Sequence, residues 1–408
     1  MKPLQLALGV LAAIGGFVDI GDIVFNTAAG AMFGYQVIWI VVIGALGIIV
    51  FSEMCGRVAV VTQRPVFDAV RTRLGYGAAL ITLIASLAVS LLTCTAEVGG
   101  MALVLRLLTG GDYRLLVVAA GIGLLIAVWL LPFDWIERVF GFGGLLLVAF
   151  TVGAVALGPD WGQLARGFVP HVATSDHLIW AYFAVGLFSA ALMPYEVYFY
   201  SSGGVEEGWR APDDLRMNRI TSIAGFSIGA LLSITLITVS AELFLPVGIA
   251  PDFLGTVGLA AANPLGQIGL LLGLAGILFA VSGAAIDTAL SGAYNLAQFL
   301  GWPWGKAKRP SEVPRFSLTW MVFIAIALVV AATGVNPIEL TEYSVIFGVV
   351  AMPATYLPVL LVAGDRDVMG EHANGRLSAT LGWTYLVLLT VAALSAVPLM
   401  VLTNLGQG

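Results

Sequence analysis

Two aspartates, Asp19 and Asp22, flank Gly21 in an apolar stretch, residues 14–35, that is long enough to span a bilayer. Burying an ion in hydrocarbon is costly, so acids inside a membrane normally face a bundle interior or a wet cavity and mark an ion or substrate pathway. The pair therefore predicts part of a cation site. Gly21, with glycines 15, 16 and 30, would let the helix unwind and expose carbonyl ligands. The simpler alternative places both acids at a helix end or a re-entrant turn.

A second interruption is predicted in residues 187–202, LFSAALMPYEVYFYSS, where Pro194 and Glu196 stand inside an apolar segment. Proline removes a backbone donor and clashes with the carbonyl four residues earlier, so the helix should break near Met193. Carbonyls freed near Ala190 would then join Asp19 and Asp22 around one cation. The alternative is a proline kink in which Met193 only fills space.

Composition restricts the class of protein. The chain of 408 residues is 60% hydrophobic and 10% charged, against the quarter charged of soluble domains. We expect an all-α polytopic membrane protein with one transmembrane domain in the lipid bilayer and no appended soluble domain. No small-residue cleavage site precedes the Asp pair, so the first apolar segment is predicted to be a span and not a removable signal.

Other classes lack support in the sequence. The net charge of −6 is small and scattered, which predicts no nucleic-acid partner. Cys55 and Cys94 are far apart and suggest neither a disulfide framework nor a metal knuckle. No phosphate loop, zinc cluster or nucleophile elbow is present, so we expect neither an enzyme nor a bound cofactor. No obligatory protein partner is evident.

About 20 apolar residues make a span, and the polar breaks predict eleven: 5–33, 36–58, 76–107, 113–131, 139–158, 178–201, 219–244, 262–299, 316–334, 339–363 and 379–403. With the N-terminus in the cytoplasm, 15 of the 18 basic residues fall inside, as the positive-inside rule expects. The C-terminus is then outside. The three basic residues outside are Arg106, Arg114 and Arg166.

Spans one and six carry the two interruptions and, being five spans apart, run in opposite directions. This pattern indicates two inverted repeats with a site at their interface. Repeat one would cover about 5–158 and repeat two about 178–363, followed by an extra helix at about 379–403.

Four stretches also resemble a known family. The run DIGD followed by AGAMFGYQVIW resembles the DPGN and AGAxFGYQxxW pattern of NRAMP divalent-metal transporters, and MPYEVYFYSS resembles their MPHNxYLHS. TAEVGGMALVLRLL at 95–108 and SVIFGVVAMPATYLPV at 344–359 add to the match. The resemblance implies a LeuT-type fold in a bacterial inner membrane, with helices one and six broken. It also implies a metal bound by Asp19, residue 22, the Ala190 carbonyl and the Met193 sulfur.

The chain departs from the family pattern at several of these positions. Asp22 replaces an asparagine, Tyr195 replaces the histidine after methionine-proline, and Glu196 is its acidic neighbour. Cys94 stands where the resemblance places an aspartate of the proton route, and Val345 replaces a glutamine near the metal. The histidines are predicted in loops: His171, His177 and His372. Histidine is the side chain best suited to a proton relay, so we expect transport without obligatory proton coupling.

The predicted ligands favour different cations. Two carboxylates and carbonyls suit Mg²⁺ or Mn²⁺, whereas the Met193 thioether favours softer ions. The departures are those described for a magnesium-transporting branch similar to NRAMP proteins. We therefore predict Mg²⁺ with Mn²⁺ admitted, and a proton-coupled Mn²⁺/Fe²⁺ carrier as the alternative.

Other acids could line the permeation path. Glu53, Glu97 and Asp287 fall within predicted spans and could instead make structural polar contacts. The possible pathway set is Glu97, Tyr195, Glu196 and Asp287. Glu339 and Glu342 begin the tenth span, where the helix dipole favours an acid.

Two rival classes fit the sequence less well. An intramembrane aspartyl protease carries its acids on separate spans, whereas Asp19 and Asp22 are three residues apart on one. An amino-acid carrier of the same fold would also use broken helices, but it would need bare amide donors at the first break.

Overall fold

The computed structural model describes residues 17–249 and 254–407, without the side chains of residues 137, 213 and 254–265. Residues 5–16 of the predicted first span, with Gly15 and Gly16, and Lys2 of the predicted inner charges lie outside them. All regular elements in the described part of the chain are helical. They are α1 (Ile20–Phe33), α2 (Ile38–Thr62), α3 (Val66–Thr109), α4 (Tyr113–Leu130), α5 (Phe133–Gly144), α6 (Val148–Ala156), α7 (Trp161–Arg166), α8 (His177–Ala190), α9 (Pro194–Glu206), α10 (Asp213–Leu243), α11 (Leu254–Leu300), α12 (Pro314–Ala332), α13 (Pro337–Gly364), α14 (Arg366–Met369) and α15 (Arg376–Leu402).

Ten helical segments in the described residues are long and apolar enough to cross a membrane, against eleven predicted spans. The first of the ten, Ile20–Thr62, contains both α1 and α2, joined by a 3₁₀ turn at Gly34–Val37. The chain reverses there. Tyr35 of this turn contacts Glu242 at the end of α10, whereas Glu53 late in α2 accepts from Asn218 near the start of α10. The two predicted spans are therefore separate, and Gly34 provides the positive φ of 62° at the turn.

Two long helices are kinked at glycine. α3 bends at Gly75, where φ is 84°, and α11 bends at Gly266, where φ is 60°. Only glycine adopts such angles without strain. The kink at Gly75 separates a short leading helix from the predicted third span, which begins at residue 76. The predicted fifth span starts too late, because α5 and α6 form one apolar segment, Phe133–Ala156, and α7 was not predicted.

The packing places the interrupted helices at the centre of the bundle. α3 packs against α11 and α13, α10 packs against α1 and α2, and α9 packs against α2 and α11. α15 packs mainly against α13 and α8 and leaves large apolar side chains uncovered, such as Leu394, which is 75% exposed. The last helix is thus peripheral, as the predicted extra helix requires.

One end of the bundle is joined by polar contacts. Arg73 forms salt bridges with Asp365 and Asp367 in the segment after α13, the latter at 2.8 Å. The Arg73 guanidinium, through its hydrogen bond, lowers the pKa of the Asp365 carboxyl from its ordinary value. Arg57 pairs with Glu53 at 3.1 Å and donates to Asn374 Oδ1 at 2.7 Å. Glu53 therefore makes a structural contact in this structure, one of the two interpretations that the sequence left open.

Candidate metal-binding site

The first helix is interrupted immediately before Ile20. Phe17 is helical, Val18 and Asp19 are not, and Asp19 is the N-cap of α1 in an extended conformation. Its Oδ1 accepts the N–H of Asp22 at 2.8 Å, which satisfies one of the free donors at a helix start. Asp19 thus has a structural role at the break as well as a buried charge.

Gly21 does not cause this break, contrary to the prediction that it would let the helix unwind. It lies within α1, and a Cβ placed on it would be 2.7 Å from Cγ2 of Val345. Gly30 is likewise helical and lies close to the backbone of Ile237 in α10. The absence of a side chain is used here for close helix packing, and the unwound residues are Val18 and Asp19.

Asp22 is buried and bonded on both carboxylate oxygens. Asn26 Nδ2 donates to Oδ1 at 2.7 Å, and the Ser233 hydroxyl of α10 donates to Oδ2. Sequence reasoning missed both partners. Asn26 could have been found because it stands four residues after Asp22 on the same helix face, whereas Ser233 is 211 residues away and gives no local signal. Each oxygen keeps a further lone pair, so ligation of a cation is compatible with these bonds.

The sixth predicted span is broken between Ala190 and Pro194. α8 ends at Ala190, and α9 begins at Pro194 with Met193 as an extended N-cap residue. Pro194 has no N–H, so the carbonyl of Ala190, four residues earlier, has no helical donor. Ala190 and Met193 are both fully buried. The break near Met193 is therefore where the sequence predicted it.

The two breaks meet inside the protein. The Tyr195 hydroxyl in the first turn of α9 donates to Asp19 Oδ2 at 3.0 Å. α13 contacts both sides, because Ser189 donates to the carbonyl of Val345 at 2.6 Å while the Val345 side chain lies against Gly21. One turn further along α13, a Cβ on Gly348 would lie 3.1 Å from Met193 Sδ. α13 thus packs against both breaks between Val345 and Gly348.

Three more acids lie around this junction. Glu97 Oε1 accepts the N–H of Ile20 at 3.1 Å, whereas its Oε2 has no hydrogen-bond partner in the part of the chain that the structure describes. Glu196 is 5% exposed, and neither of its oxygens has a hydrogen-bond partner among the described residues. Asp287 lies in α11 four residues before Ser291, whose hydroxyl donates to the carbonyl of Tyr195 at 3.1 Å.

No salt bridge among the described residues reaches any of the five acids Asp19, Asp22, Glu97, Glu196 and Asp287. An ion buried without a partner costs several kcal/mol, whereas a helix dipole offsets at most ~2 kcal/mol. Protonation of the carboxyls or a bound cation would remove this cost. Within the described residues no three His, Cys, Asp or Glu side chains converge as metal ligands, so a site here would need the carbonyl and the thioether as well.

Cys94 and the three histidines were also singled out in the sequence. Cys94 is buried, with Sγ 3.7 Å from the Ala285 carbonyl. His171 lies in a loop and His372 in a 3₁₀ turn. His177 is not in a loop but is the first, exposed residue of α8. The prediction was wrong there because Asp176, the residue before it, caps the helix through the N–H of Ile179.

Comparison with known proteins decides the family. A family model described as Natural resistance-associated macrophage protein-like, Nramp, matches residues 9–398. The chain belongs to the Nramp family. The family resemblance that was predicted from the sequence is thereby confirmed. It extends over nearly the whole chain.

Among its Nramp relatives, a protein of Deinococcus radiodurans named Divalent metal cation transporter MntH is 26% identical over 404 residues, 94% of this chain and 87% of the relative. Divalent metal cation transporter MntH 1 of Pseudomonas aeruginosa is 26% identical over 401 residues, 95% of this chain and 89% of the relative.

Solved structures give the Nramp chain the same fold. The crystal structure of the Eremococcus coleocola manganese transporter has a TM-score of 0.75 at 20% identity, covering 96% of this chain and 85% of that chain. Mhp1, a nucleobase-cation-symport-1 family transporter, has a TM-score of 0.59 at 15% identity, covering 96% and 91%. The predicted LeuT-type fold is confirmed.

Proposed function

We propose that this Nramp chain is a single transmembrane transport domain that moves divalent metal cations across a bacterial plasma membrane by alternating access. The proposed ligands are Asp19, Asp22, the Ala190 carbonyl and Met193. The observation that carries the proposal is the hydrogen bond between Tyr195 and Asp19, which joins two helix breaks in an acid-rich interior. Two carboxylates there neutralise one divalent ion.

The proposed cargo is Mn²⁺ or Mg²⁺. Several relatives are named for divalent metals and one structural neighbour for manganese. The Met193 thioether suits Mn²⁺ better than Mg²⁺. The carboxylates suit both ions, and a cavity rich in acids suits Mg²⁺, which sheds its water reluctantly. The proposal of Mg²⁺ as a cargo rests on the carboxylates alone.

We further propose that transport is not obligatorily coupled to protons. Cys94 and Val345 are buried and place no carboxylate or amide at the junction. None of the three histidines lies near it. Tyr195 donates to Asp19 and fills the place of an imidazole. Glu97, Tyr195, Glu196 and Asp287 would line the path of the cation.

The proposed orientation places the N-terminus in the cytoplasm and the C-terminus outside. It rests on the distribution of basic residues. The polar end formed by Arg57, Arg73, Asp365 and Asn374 would then face the cytoplasm, and the end of α1 at Tyr35 and Glu242 would face outside.

The test is uptake of Mn²⁺ and Mg²⁺ into proteoliposomes that contain a pH-sensitive dye. A metal gradient should drive saturable entry without internal acidification, and an imposed pH gradient should not accumulate metal. Acidification in step with uptake, lost in Glu97→Gln, would instead establish a proton-coupled Mn²⁺/Fe²⁺ symporter. Uptake of amino acids with none of metal would establish a carrier of the same fold with another substrate.

A further inference from the structure

Asn26 has a side-chain amide of which only the nitrogen is used. The residue lies in α1 one turn after Asp22 and is fully buried. Its Nδ2 donates to Asp22 Oδ1 at 2.7 Å and to the Asp22 carbonyl at 2.6 Å. Its Oδ1 is also buried, yet no donor among the described residues reaches it. Nearly all buried side-chain polar groups in proteins have a hydrogen-bond partner, so this oxygen is placed for a group that the described chain does not supply.

The contacts of Asn26 determine which end of the amide is free. An amide nitrogen donates hydrogen bonds, whereas an amide oxygen only accepts them. Exchanging the two atoms would bring Oδ1 against the carbonyl and the carboxylate of Asp22, which are both acceptors, and would leave Nδ2 without an acceptor. The free end of the amide is therefore the oxygen.

This free oxygen lies next to a proposed ligand of the cation. Asn26 Nδ2 is 2.7 Å from Asp22 Oδ1. Because the oxygen and the nitrogen of an amide are bonded to the same carbon, Asn26 Oδ1 lies within about 5 Å of that carboxylate oxygen. Neighbouring oxygens around an octahedral Mg²⁺ are roughly 3 Å apart. A cation bound by Asp22 is therefore within reach of Asn26 after a small side-chain rotation.

The position of Asn26 along α1 also suits a ligand. It lies on the side of Asp22 away from the helix break, towards the end of α1 at Tyr35. In the proposed orientation, an ion that enters from outside passes Asn26 before it reaches Asp22. An amide oxygen adds no charge, so the two carboxylates still neutralise one divalent ion.

We infer that Asn26 Oδ1 is a further ligand of the transported divalent cation, bound together with Asp22. The inference rests on the proposed function, because it adds a ligand to the proposed transport site. Oxygens from two carboxylates, one carbonyl and one amide then stand against a single thioether. Mg²⁺ and Mn²⁺ should therefore depend on Asn26 more than Cd²⁺, which depends on the soft sulfur of Met193.

The direct test is electron–nuclear double resonance of Mn²⁺ bound to the full-length protein, labelled with ¹³C at the side-chain amide carbon of asparagine. A ligated amide holds its carbon close to the ion, so the wild type should show a ¹³C coupling that Asn26→Ala loses. Asn295→Ala is the matched control and should keep the coupling. Asn295 is also fully buried with an unpartnered Oδ1 among the described residues, but its Nδ2 donates to the Ser86 hydroxyl at 2.7 Å.

Binding affinity separates a ligand from a residue that only positions Asp22. Asn26→Ala should weaken binding of Mg²⁺ and Mn²⁺ by at least about tenfold, as expected for the loss of a contact with a charged group, and should weaken Cd²⁺ less. Asn26→Asp keeps an oxygen but loses the donor to Asp22. It should bind Mn²⁺ and Mg²⁺ more tightly than Asn26→Ala does, whereas a positioning role predicts that both variants are equally weak.

A wild type that binds Mn²⁺ without a ¹³C coupling would overturn the inference and leave the proposed function intact, because Asn26 would then only position Asp22 or bind a water molecule. A coupling that persists in Asn26→Ala would also overturn it, by pointing to another asparagine. The wild-type spectrum decides even where a variant fails to fold, and the affinities decide if Mg²⁺ alone binds. No binding of either ion by the wild type would overturn the proposed function together with this inference.

Discussion

The side chain of Val345 lies against Gly21, the residue between the two acids of the broken first helix. A Cβ on Gly21 would be 2.7 Å from Val345 Cγ2 and 3.1 Å from Asp19 Oδ1. α13 therefore closes on the acid pair through an apolar contact that tolerates no side chain at Gly21. The geometry of the pair depends on this contact as well as on its hydrogen bonds.

Gly21→Ala should lower stability by about 1–3 kcal/mol, the usual cost of overpacking a filled interior, and should reduce metal uptake. Val345→Ala combined with it should restore part of both, because it removes the methyl group that collides. Thermal unfolding in detergent and uptake in proteoliposomes measure the two effects. Gly123→Ala is the control, since nothing lies within 4 Å of its Cβ position. Additive losses in the double variant would contradict the prediction.

Asp19→Asn and Asp22→Ala should each abolish saturable metal uptake; alanine is chosen at residue 22 because the family pattern has asparagine there. Asparagine keeps an acceptor oxygen for the helix cap, whereas alanine would also remove the cap, worth about 1 kcal/mol. The loss of uptake in Asp19→Asn would then come from the missing charge. Asp112→Asn serves as the control because Asp112 caps α4 in the same way, through the N–H groups of Arg114 and Leu115. Normal uptake by both Asp19→Asn and Asp22→Ala would rule out the ligand assignment.

Met193→Ala should weaken binding of Cd²⁺ and Mn²⁺ by roughly 1–2 kcal/mol, about tenfold, and leave Mg²⁺ unchanged, because the thioether is the soft ligand in the set. Binding affinities of the three ions measure it. Met352→Ala is the matched control, since Met352 is equally buried but is not among the proposed ligands. It should lower stability without changing the order of the ions. An equal loss for all ions in Met193→Ala would show that Met193 only packs.

Asp365→Asn should destabilise the protein at neutral pH, because it removes the partner of Arg73. The pKa of Asp365 is lowered below its ordinary value of 3.8 in the folded protein, so the folded state favours the charged carboxylate. That contribution is full above the ordinary value and is lost as the pH falls through the lowered pKa. The difference in melting temperature between wild type and Asp365→Asn should therefore shrink at the acid end. A difference that stays constant below that range would contradict the salt bridge as its cause.

The class of protein and the place of the second break were predictable from the sequence because they depend on local chemistry. An apolar run of fixed length must span a bilayer, and a proline at residue 194 must deprive Ala190 of its helical donor. The break at Met193 follows from the proline rule, whereas the first break was expected at Gly21, which lies within α1.

The partners of those residues were decided by the tertiary structure. Tyr195 reaches Asp19 across 176 residues and Ser233 reaches Asp22 across 211, and no local pattern encodes such distances. Gly21 was expected to unwind a helix, yet it makes room for Val345, because a glycine can serve flexibility or close packing and only the neighbouring helix selects between them. The unsatisfied oxygens of Glu196 also emerge only once every helix around them is in place, since burial is a property of the whole bundle.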